Sequence, residues 1–594
     1  MSDAQEEDHG PATGLAARAI GLSRLPLFED LDEQFLAAIE AELTRVALPG
    51  GATLFRQGDP SASLYVLVYG RLAAIVADGA GERVVAQIGA GEVVGEMGLI
   101  SGLARSATLI ALRDCELLRL DEAAFQRLIR QRPEALLYLA KLLTSRLLAS
   151  NRRAPIDDAP ATIMLAPGEP GAPCRELAED LALAIGQLGE SVLVIDAASG
   201  ADHDTQWFYT AENDHDRVIY VADSEDAGWT RRCLRQSDRI LLVARNGEPP
   251  PEALPVPLAA RHERLQPLEL VLVDTAGADR PRGAGAWLER LPFELHCHIR
   301  LGHRRDRLRL ARLVLRRAIG IALSGGGARG FTHIGVIRAL REGGVPLDLF
   351  GGTSMGGVVG AAAALGYDDR QLTEIAVGFS HTKPFRDITL PVISLVRGRR
   401  ISAALRGIFG DHRIEDTLHS YFCVSTNLTV GGIKVHRSGP VWSALRASIA
   451  LPGLLPPMVA DGEVLVDGAI IDNFPSDVMR QLHRGPVVGC DVSRVVGLRS
   501  QADALDERSL WWLLWKGRRQ APGIMNILFS AGTVGSDIQV QQCRLNTDIL
   551  LEPPLERVSM LDWQACERAI EIGYRYTMGI LEQPEKRRLL GLGV

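Results

Sequence analysis

The sequence predicts a multidomain chain: a β-roll with flanking helices, followed by two α/β domains. Three observations predict it. At 594 residues the chain exceeds what one hydrophobic core serves, so about three domains are expected. Between Leu27 and Leu148 short alternating runs are cut by glycine turns, the pattern of a small all-β unit. Beyond that stretch, apolar β-branched runs alternate with helical segments, which implies parallel sheet.

Residues 1–23 read as a flexible lead and 24–150 as the roll. Within the roll, SLYVLVYG and RLAAIVADG are punctuated by Gly58-Asp59, Gly70 and Gly89 to Gly91, and Asp121 to Leu148 carries apolar residues at helical spacing. The polar, proline-bearing stretch SNRRAPIDDAPA supplies a linker over 151–162. From 163 to 300 come TIMLAP, a helix through ELAEDLALAIGQL, SVLVIDA, RVIYVAD, a helix around WTRRCLRQ, RILLVAR and LELVLVD. A basic connecting helix over 301–318 leads into the second α/β domain, 319–482, which opens with AIGIALSGGGARG. Residues 483–594 form an extension expected to pack on it.

Composition narrows the function classes. A net charge of -8 gives no general attraction to polyanions, so nucleic acid is not an expected partner. The eight cysteines are scattered without a C-x-x-C pair, which argues against a zinc site and a disulfide framework and for a reducing cytosol, and no metal is expected. The opening MSDAQEEDHG is too acidic for a secretory signal, and no window approaches the ~20 apolar residues of a membrane span. A cytoplasmic chain is expected, with any membrane contact peripheral and on the inner face.

Three short motifs carry the chemistry. Gly325, Gly326, Gly327, Ala328, Arg329 and Gly330 follow an apolar strand and open a helix, so free amides there would face an anion. A dinucleotide site fits that pattern too, although Asp348, near the spacing of a ribose partner, sits just before the next motif. Gly352-Thr353-Ser354-Met355-Gly356 is G-x-S-x-G between a strand and a helix, either an exposed nucleophile on a strained turn or a plain glycine-rich turn. Asp467-Gly468-Ala469 ends an apolar strand with an acid, which by itself is most often only a turn.

In this order the three motifs resemble those of the patatin-like phospholipase family over about Ile321 to Leu482. The resemblance implies a Ser-Asp dyad, with Ser354 as nucleophile and Asp467 as its base, and no histidine. It implies an oxyanion hole in the backbone of Gly325 to Gly330 and a nucleophile elbow at Gly352 and Gly356. Chemistry agrees with those roles, since a serine hydroxyl needs a base during attack and burial can lift an aspartate toward the working range. His333, His381 and His436 are expected to be structural.

Gly95-Glu96-Met97-Gly98-Leu99-Ile100 and Ala104-Arg105-Ser106-Ala107-Thr108 resemble the phosphate-binding cassette of cyclic nucleotide-binding domains, which covers about Leu27 to Leu148. The resemblance implies that Glu96 meets a ribose hydroxyl and Arg105 a cyclic phosphate, with Gly95 and Ser106 beside them. Ala104 and Gly98 depart from the usual proline and alanine. The domain is therefore read as a roll, with cyclic AMP or cyclic GMP as candidate regulatory ligand and no required cofactor. Bacterial cyclic-nucleotide transcription factors share the roll, but there a helix-turn-helix follows it and here a parallel-sheet pattern does.

LAPGEPGAPC sits where a P-loop would, without Gly-Lys-Ser/Thr, so the middle domain reads as a degenerate nucleotide fold. WTRRCLRQSDRILLV and WLERLPFELHCHIR resemble the corresponding region of the neuropathy target esterase family, which extends the likeness over nearly the whole chain. The expected substrate is a phospholipid or lysophospholipid. The alternatives are a non-catalytic scaffold that responds to cyclic nucleotide, and a neutral-lipid or thioester hydrolase. Trp511, Trp512 and Trp515 with Lys516, Arg518 and Arg519 fit either a membrane interface or packing over the catalytic domain. The arginines from Arg304 to Arg317 fit a solvated helix face, or a face meeting acidic headgroups or another domain. Oligomeric state is left open.

Overall fold

The computed structural model describes residues 42–78, 81–131, 160–258, 266–275, 277, 280–381, 387–390, 392–482, 484–493 and 540–592. The lead at 1–23, most of the linker and of the helix expected up to Leu148, and the Trp511 to Arg519 cluster lie outside the described residues. The chain divides into two compact units. One holds Met1–Ala244, Pro250–Val271 and Pro292–Leu295, and the other holds Arg245–Pro249, Leu272–Leu291 and His296–Val594.

The first unit opens with the β-roll. Its strands are β1 (Thr44–Leu48), β2 (Thr53–Phe55), β3 (Ser63–Tyr69), β4 (Leu72–Asp78), β5 (Gly81–Ile88), β6 (Val93–Val94), β7 (Thr108–Ala111) and β8 (Cys115–Asp121). They form two antiparallel sheets, ordered β1-β8-β3-β6 and β2-β7-β4-β5. Leu67, Leu72 and Leu117 are fully buried between them, as strands with one wet face require. Helix α1 (Glu96–Ser101) carries the cassette, and α2 (Glu122–Gln131) starts the helix that the periodicity predicts.

A parallel sheet follows, with β9 (Thr162–Pro167), β10 (Val192–Ile195), β11 (Arg217–Val221) and β12 (Arg239–Arg245) in the order β10-β11-β9-β12. Strand β9 is buried along its whole length, because α3 (Cys174–Gln187), α4 (Ala227–Gln236) and their neighbours cover both faces. Roll and sheet meet through a buried guanidinium. Arg113 pairs with Glu212 and, at 2.8 Å, with Asp238, while Arg235 reaches Asp114 at 2.7 Å. Two further strands follow, β13 (Leu268–Asp274) and β14 (Leu295–Arg300), and the division between the units falls within each of them.

In the second unit the basic segment forms helix α5 (Arg304–Val314), and α6 (Thr332–Glu342) follows the glycine loop. It is not a fully solvated face: Arg309 is buried and Arg312 grips Asp348 through two bonds of 2.8 and 2.6 Å. That pairing takes up the carboxylate at the ribose-partner spacing. The sheet of this unit holds β15 (Ile319–Leu323), β16 (Leu347–Thr353), β17 (Ser420–Asn427), β18 (Gly432–His436), β19 (Met458–Ala460), β20 (Glu463–Asp467), β21 (Val487–Cys490) and β22 (Ile549–Leu551). Their order is β19-β20-β17-β16-β15-β21-β22, with β18 against β17. Strands β17, β16, β15, β21 and β22 run parallel, while β20 and β18 pair antiparallel with β17. Two strands of this sheet therefore come from beyond residue 482.

Candidate active site

The three motifs converge at one end of the second unit's sheet. Strand β16 is buried at every residue and runs out at Thr353; helix α7 (Met355–Ala364) begins two residues later. Ser354 alone makes the corner, at φ 52° and ψ -121°, a conformation an L-residue adopts only when its surroundings impose it. The glycines on either side make the corner possible. A Cβ on Gly352 would lie 2.5 Å from the Gly356 carbonyl carbon, and one on Gly356 would lie 2.3 Å from the Leu323 oxygen. The corner is also tied. Ser354 N–H donates to Ser448 Oγ at 2.9 Å, Ser448 Oγ donates to the Val424 carbonyl at 2.6 Å, and Thr353 Oγ1 donates to the Asp472 carbonyl at 2.9 Å.

Asp467 ends β20, whose antiparallel pairing with β17 sets it opposite Ser425. Ser354 Oγ donates to Asp467 Oδ2 at 2.9 Å, and Asp467 Oδ1 accepts the Ala469 amide at 2.9 Å. The aspartate is 1% exposed. Burial pushes its carboxyl up to about 7, against the opposing pull of the Ala469 amide and the Ser354 hydroxyl.

The glycine loop lies beside this pair, and its amides are not equivalent. Gly325 N–H donates to the Asn473 carbonyl at 3.0 Å, Ala328 N–H to the Met560 carbonyl at 2.8 Å, and Arg329 N–H to the Gly326 carbonyl at 3.2 Å. The side chain of Arg329 is turned to the Val558 carbonyl, and Gly330 lies inside the short helix Gly327–Phe331. The Gly326 and Gly327 amides have no acceptor among the described residues. Both glycines line the same cavity as Ser354 and Asp467.

That cavity, about 90 Å³, is walled mainly by apolar side chains, among them Met355, Phe379, Leu405, Leu454, Met560 and Trp563. A second hollow of about 30 Å³ shares Met355, Val358 and Phe379 with it and runs on toward Phe331 and Ile408. A larger cavity, about 710 Å³, lies beside α5 instead, lined by Arg312 and Arg341 among others. We assign it no part in the chemistry, because those guanidinia are paired with Asp348 and Asp369 and neither Ser354 nor Asp467 reaches it.

No histidine lines the dyad's cavity among the described residues. His333 is buried with its ring bonded to the Ser324 carbonyl (2.9 Å), and burial lowers its pKa to about 4. His436 pairs with Ser425 Oγ at 2.8 Å, and His381 is exposed at a helix end. One group, Asp472, Asp477 and Cys543, has metal-ligand atoms within 4.8 Å of one another. Burial pushes the Cys543 thiol up to about 12 and the Asp472 carboxyl up to about 7.

In the roll, the cassette closes on itself. Arg105 donates to the Gly95 carbonyl at 3.0 Å and the Ser63 carbonyl at 2.8 Å, and its guanidinium lies 4.0 Å from the Phe55 ring centre. Glu96 is buried at the start of α1, Gly95 caps that helix at φ 83°, and Ser106 Oγ faces Met97 Sδ.

Sequence reasoning missed Ser448, Asn473 and Met560. Asn473 stands in the same EVLVDGAIIDNFP segment as Asp467, six residues on, so its proximity was readable. Ser448 and Met560 carry no local signal, since only the tertiary fold brings them to the site.

An α/β domain with a strained serine elbow, a buried facing carboxylate and an adjoining glycine loop defines the serine-hydrolase class of site. Residues 321–480 match the patatin-like phospholipase family, 45–132 the cyclic nucleotide-binding domain, and 161–316 the P-loop-like domain of the neuropathy target esterase family. The chain belongs to the patatin-like phospholipases of the neuropathy target esterase family, with a cyclic nucleotide-binding domain ahead of the other two. It is 30% identical to patatin-like phospholipase domain-containing protein ZK370.4 of Caenorhabditis elegans, over 91% of this chain and 46% of that protein. It is 29% identical to patatin-like phospholipase domain-containing protein 7 of Rattus norvegicus, over 91% of this chain and 45% of the relative. It is 26% identical to lysophospholipase NTE1 of Candida albicans, over 92% and 47%. The chain thus spans a little under half the length of these relatives.

Proposed function

We propose that the protein is a serine esterase that hydrolyses acyl esters of phospholipids or lysophospholipids through Ser354 and Asp467. The observation that carries the proposal is the 2.9 Å bond from Ser354 Oγ to a carboxylate buried in an apolar hollow. Ser354 Oγ attacks the ester carbonyl carbon while its proton passes to Asp467 Oδ2. The oxygen that becomes negative meets the Gly326 and Gly327 amides, donors that typically contribute about 10²–10³ in rate each. The tetrahedral centre collapses, the alcohol leaves with the proton from Asp467, and the acyl group stays on Ser354. Water then attacks the acyl-enzyme, gives a proton to Asp467, and the carboxylic acid departs as Ser354 recovers its hydrogen. The apolar walls take the acyl chain and exclude competing water.

The roll is proposed as the seat of a regulatory cyclic nucleotide, with Glu96 on the ribose and Arg105 on the phosphate. The match over residues 45–132 and the clustering of these two residues at one helix start support that reading. A cytoplasmic position at the inner membrane face is proposed on two grounds. All eight cysteines are free and buried, and no helix of the described residues is long and apolar enough to cross a membrane.

A fluorophosphonate probe followed by a lipid panel tests the reading. Labelling at Ser354 and release of fatty acid from lysophospholipid are expected. An unlabelled serine would return the protein to the scaffold class, and release from neutral lipid or thioester alone would change the substrate class.

A further inference from the structure

Helices α8 (Asp369–His381) and α9 (Arg399–Phe409) each give a wall to the dyad's cavity, Phe379 from one and Leu405 from the other. Between them residues 387–390 and 392–397 make a small hairpin. Ile388 bridges Val396, Thr389 N–H donates to the Leu395 carbonyl at 3.1 Å, and Arg397 N–H donates to the Asp387 carbonyl at 2.9 Å. Its base is fixed to the cavity rim, because Leu395 and Val396 amides donate to the Gly453 and Leu454 carbonyls at 2.8 and 3.0 Å.

The outward face of this hairpin is inverted for a loop in water. Ile388, Leu390, Val392 and Ile393 are 76, 81, 87 and 71% exposed, while Ser394 on the same turn is 6% exposed with its hydroxyl bonded to Val396. Single exposed aliphatics are ordinary; four on one short tip are an interaction surface. Just below the tip, Arg397, Arg399 and Arg400 are exposed, and no ion pair engages them among the described residues. The neighbouring carboxylate, Asp387, accepts the Arg399 and Arg400 amides at 2.7 and 3.3 Å. An apolar tip over a cationic collar is the charge and polarity order of the bilayer interface, hydrocarbon inside and phosphate outside.

We propose that the hairpin formed by residues 387–390 and 392–397 is an interfacial anchor for an anionic phospholipid bilayer, its aliphatic tip in the acyl boundary and Arg397, with Arg399 and Arg400 of the adjoining helix, on lipid phosphates. The proposal rests on the lipid-esterase reading for its purpose. A protein fixed by this tip presents the Leu454 side of the cavity to the membrane, so a substrate's acyl chain leaves the bilayer without crossing open water.

The test uses the full chain with Ser354→Ala, so vesicles stay intact, in co-sedimentation with vesicles of phosphatidylcholine alone or mixed with phosphatidylglycerol. Adding Leu390→Ser, Val392→Ser and Ile393→Ser is expected to lower partitioning by at least about tenfold on both vesicles. Adding Arg397→Gln, Arg399→Gln and Arg400→Gln instead removes the preference for the anionic vesicles. With Ser354 restored, the serine-tip variant should still turn over a water-soluble short-chain ester at the parent rate while losing activity on vesicles. Partitioning unchanged by the tip substitutions overturns the anchor, and so does a tip variant that only loses self-association or a protein partner. If the parent lacks turnover of the soluble ester yet the tip variant loses vesicle binding, the esterase reading fails and the anchor stands.

Discussion

The serine elbow and the phosphate cassette are both motif-bearing helix starts, yet their functional atoms are held in opposite ways. Ser354 is forced to positive φ and aims its hydroxyl into a cavity, and its partner carboxylate is buried with no cation beside it among the described residues. Arg105, by contrast, gives its two terminal nitrogens to the Gly95 and Ser63 carbonyls and stacks on Phe55, while its buried Nε has no acceptor among the described residues. The first site stores its cost in strain and desolvation before any ligand arrives. The second has already committed two of its donors, so an anion must compete with two main-chain acceptors for them. A motif therefore fixes which atoms can act, while the surrounding hydrogen bonds fix whether they are poised.

Replacing the poised atom should give the largest effect. Ser354→Ala is expected to lower ester turnover by about 10⁴ or more and to abolish fluorophosphonate labelling, with circular dichroism unchanged. Asp467→Asn should cost about 10³–10⁴ in kcat while leaving substrate affinity near the parent value. Full activity in that variant would place the base elsewhere and end the contrast.

The same aspartate predicts two pH responses of opposite sign. It accepts a proton only when ionised, so kcat/KM should rise with pH through about 7 and level off above. Because its pKa is lifted from 3.8 to about 7, the folded state binds that proton more tightly than the unfolded chain does. This contribution to stability is full below about pH 4 and falls as pH climbs to about 7, by up to about 4 kcal/mol. Asp467→Asn should therefore melt a few degrees above the parent at pH 8 in a thermal scan, and a lower melting point there would contradict the buried-charge account.

Smaller effects sharpen the comparison. Ser448→Ala removes the acceptor of the Ser354 amide, and a loosened elbow should cost about tenfold to a hundredfold in turnover. In the roll, calorimetry with cyclic AMP and cyclic GMP should give weak binding, lost in Arg105→Ala. Tight binding in the parent would show that the inward guanidinium releases its carbonyls at little cost.

Much of this was legible before any coordinates. Strand β16, the Ser354 corner and α7 follow from an apolar run ending in Gly-Thr-Ser-Met-Gly, and β20 from EVLVD. The short-range pattern of glycines and apolar residues dictates those local turns. The cavity wall was not legible. Phe379, Leu405, Leu454 and Met560 look like core residues in any window, and their shared hollow exists only once distant segments pack. Which loop amides are free was also hidden, because Asn473 and Met560 occupy their neighbours through contacts of long sequence separation. The paired state of the Arg304 to Arg317 helix depends likewise on Asp348, a residue of another element.

The Met560 carbonyl that holds the Ala328 amide has a consequence for synthesis. Synthesis passes both members of the dyad, Ser354 and Asp467, well before it reaches Met560 and Trp563, which pin the glycine loop and complete the cavity wall. The loop amides and that part of the cavity wall are therefore set only after a segment made later than the dyad has folded back. Chain order thus makes the completion of this site a late folding event, dependent on residues some ninety positions beyond the aspartate.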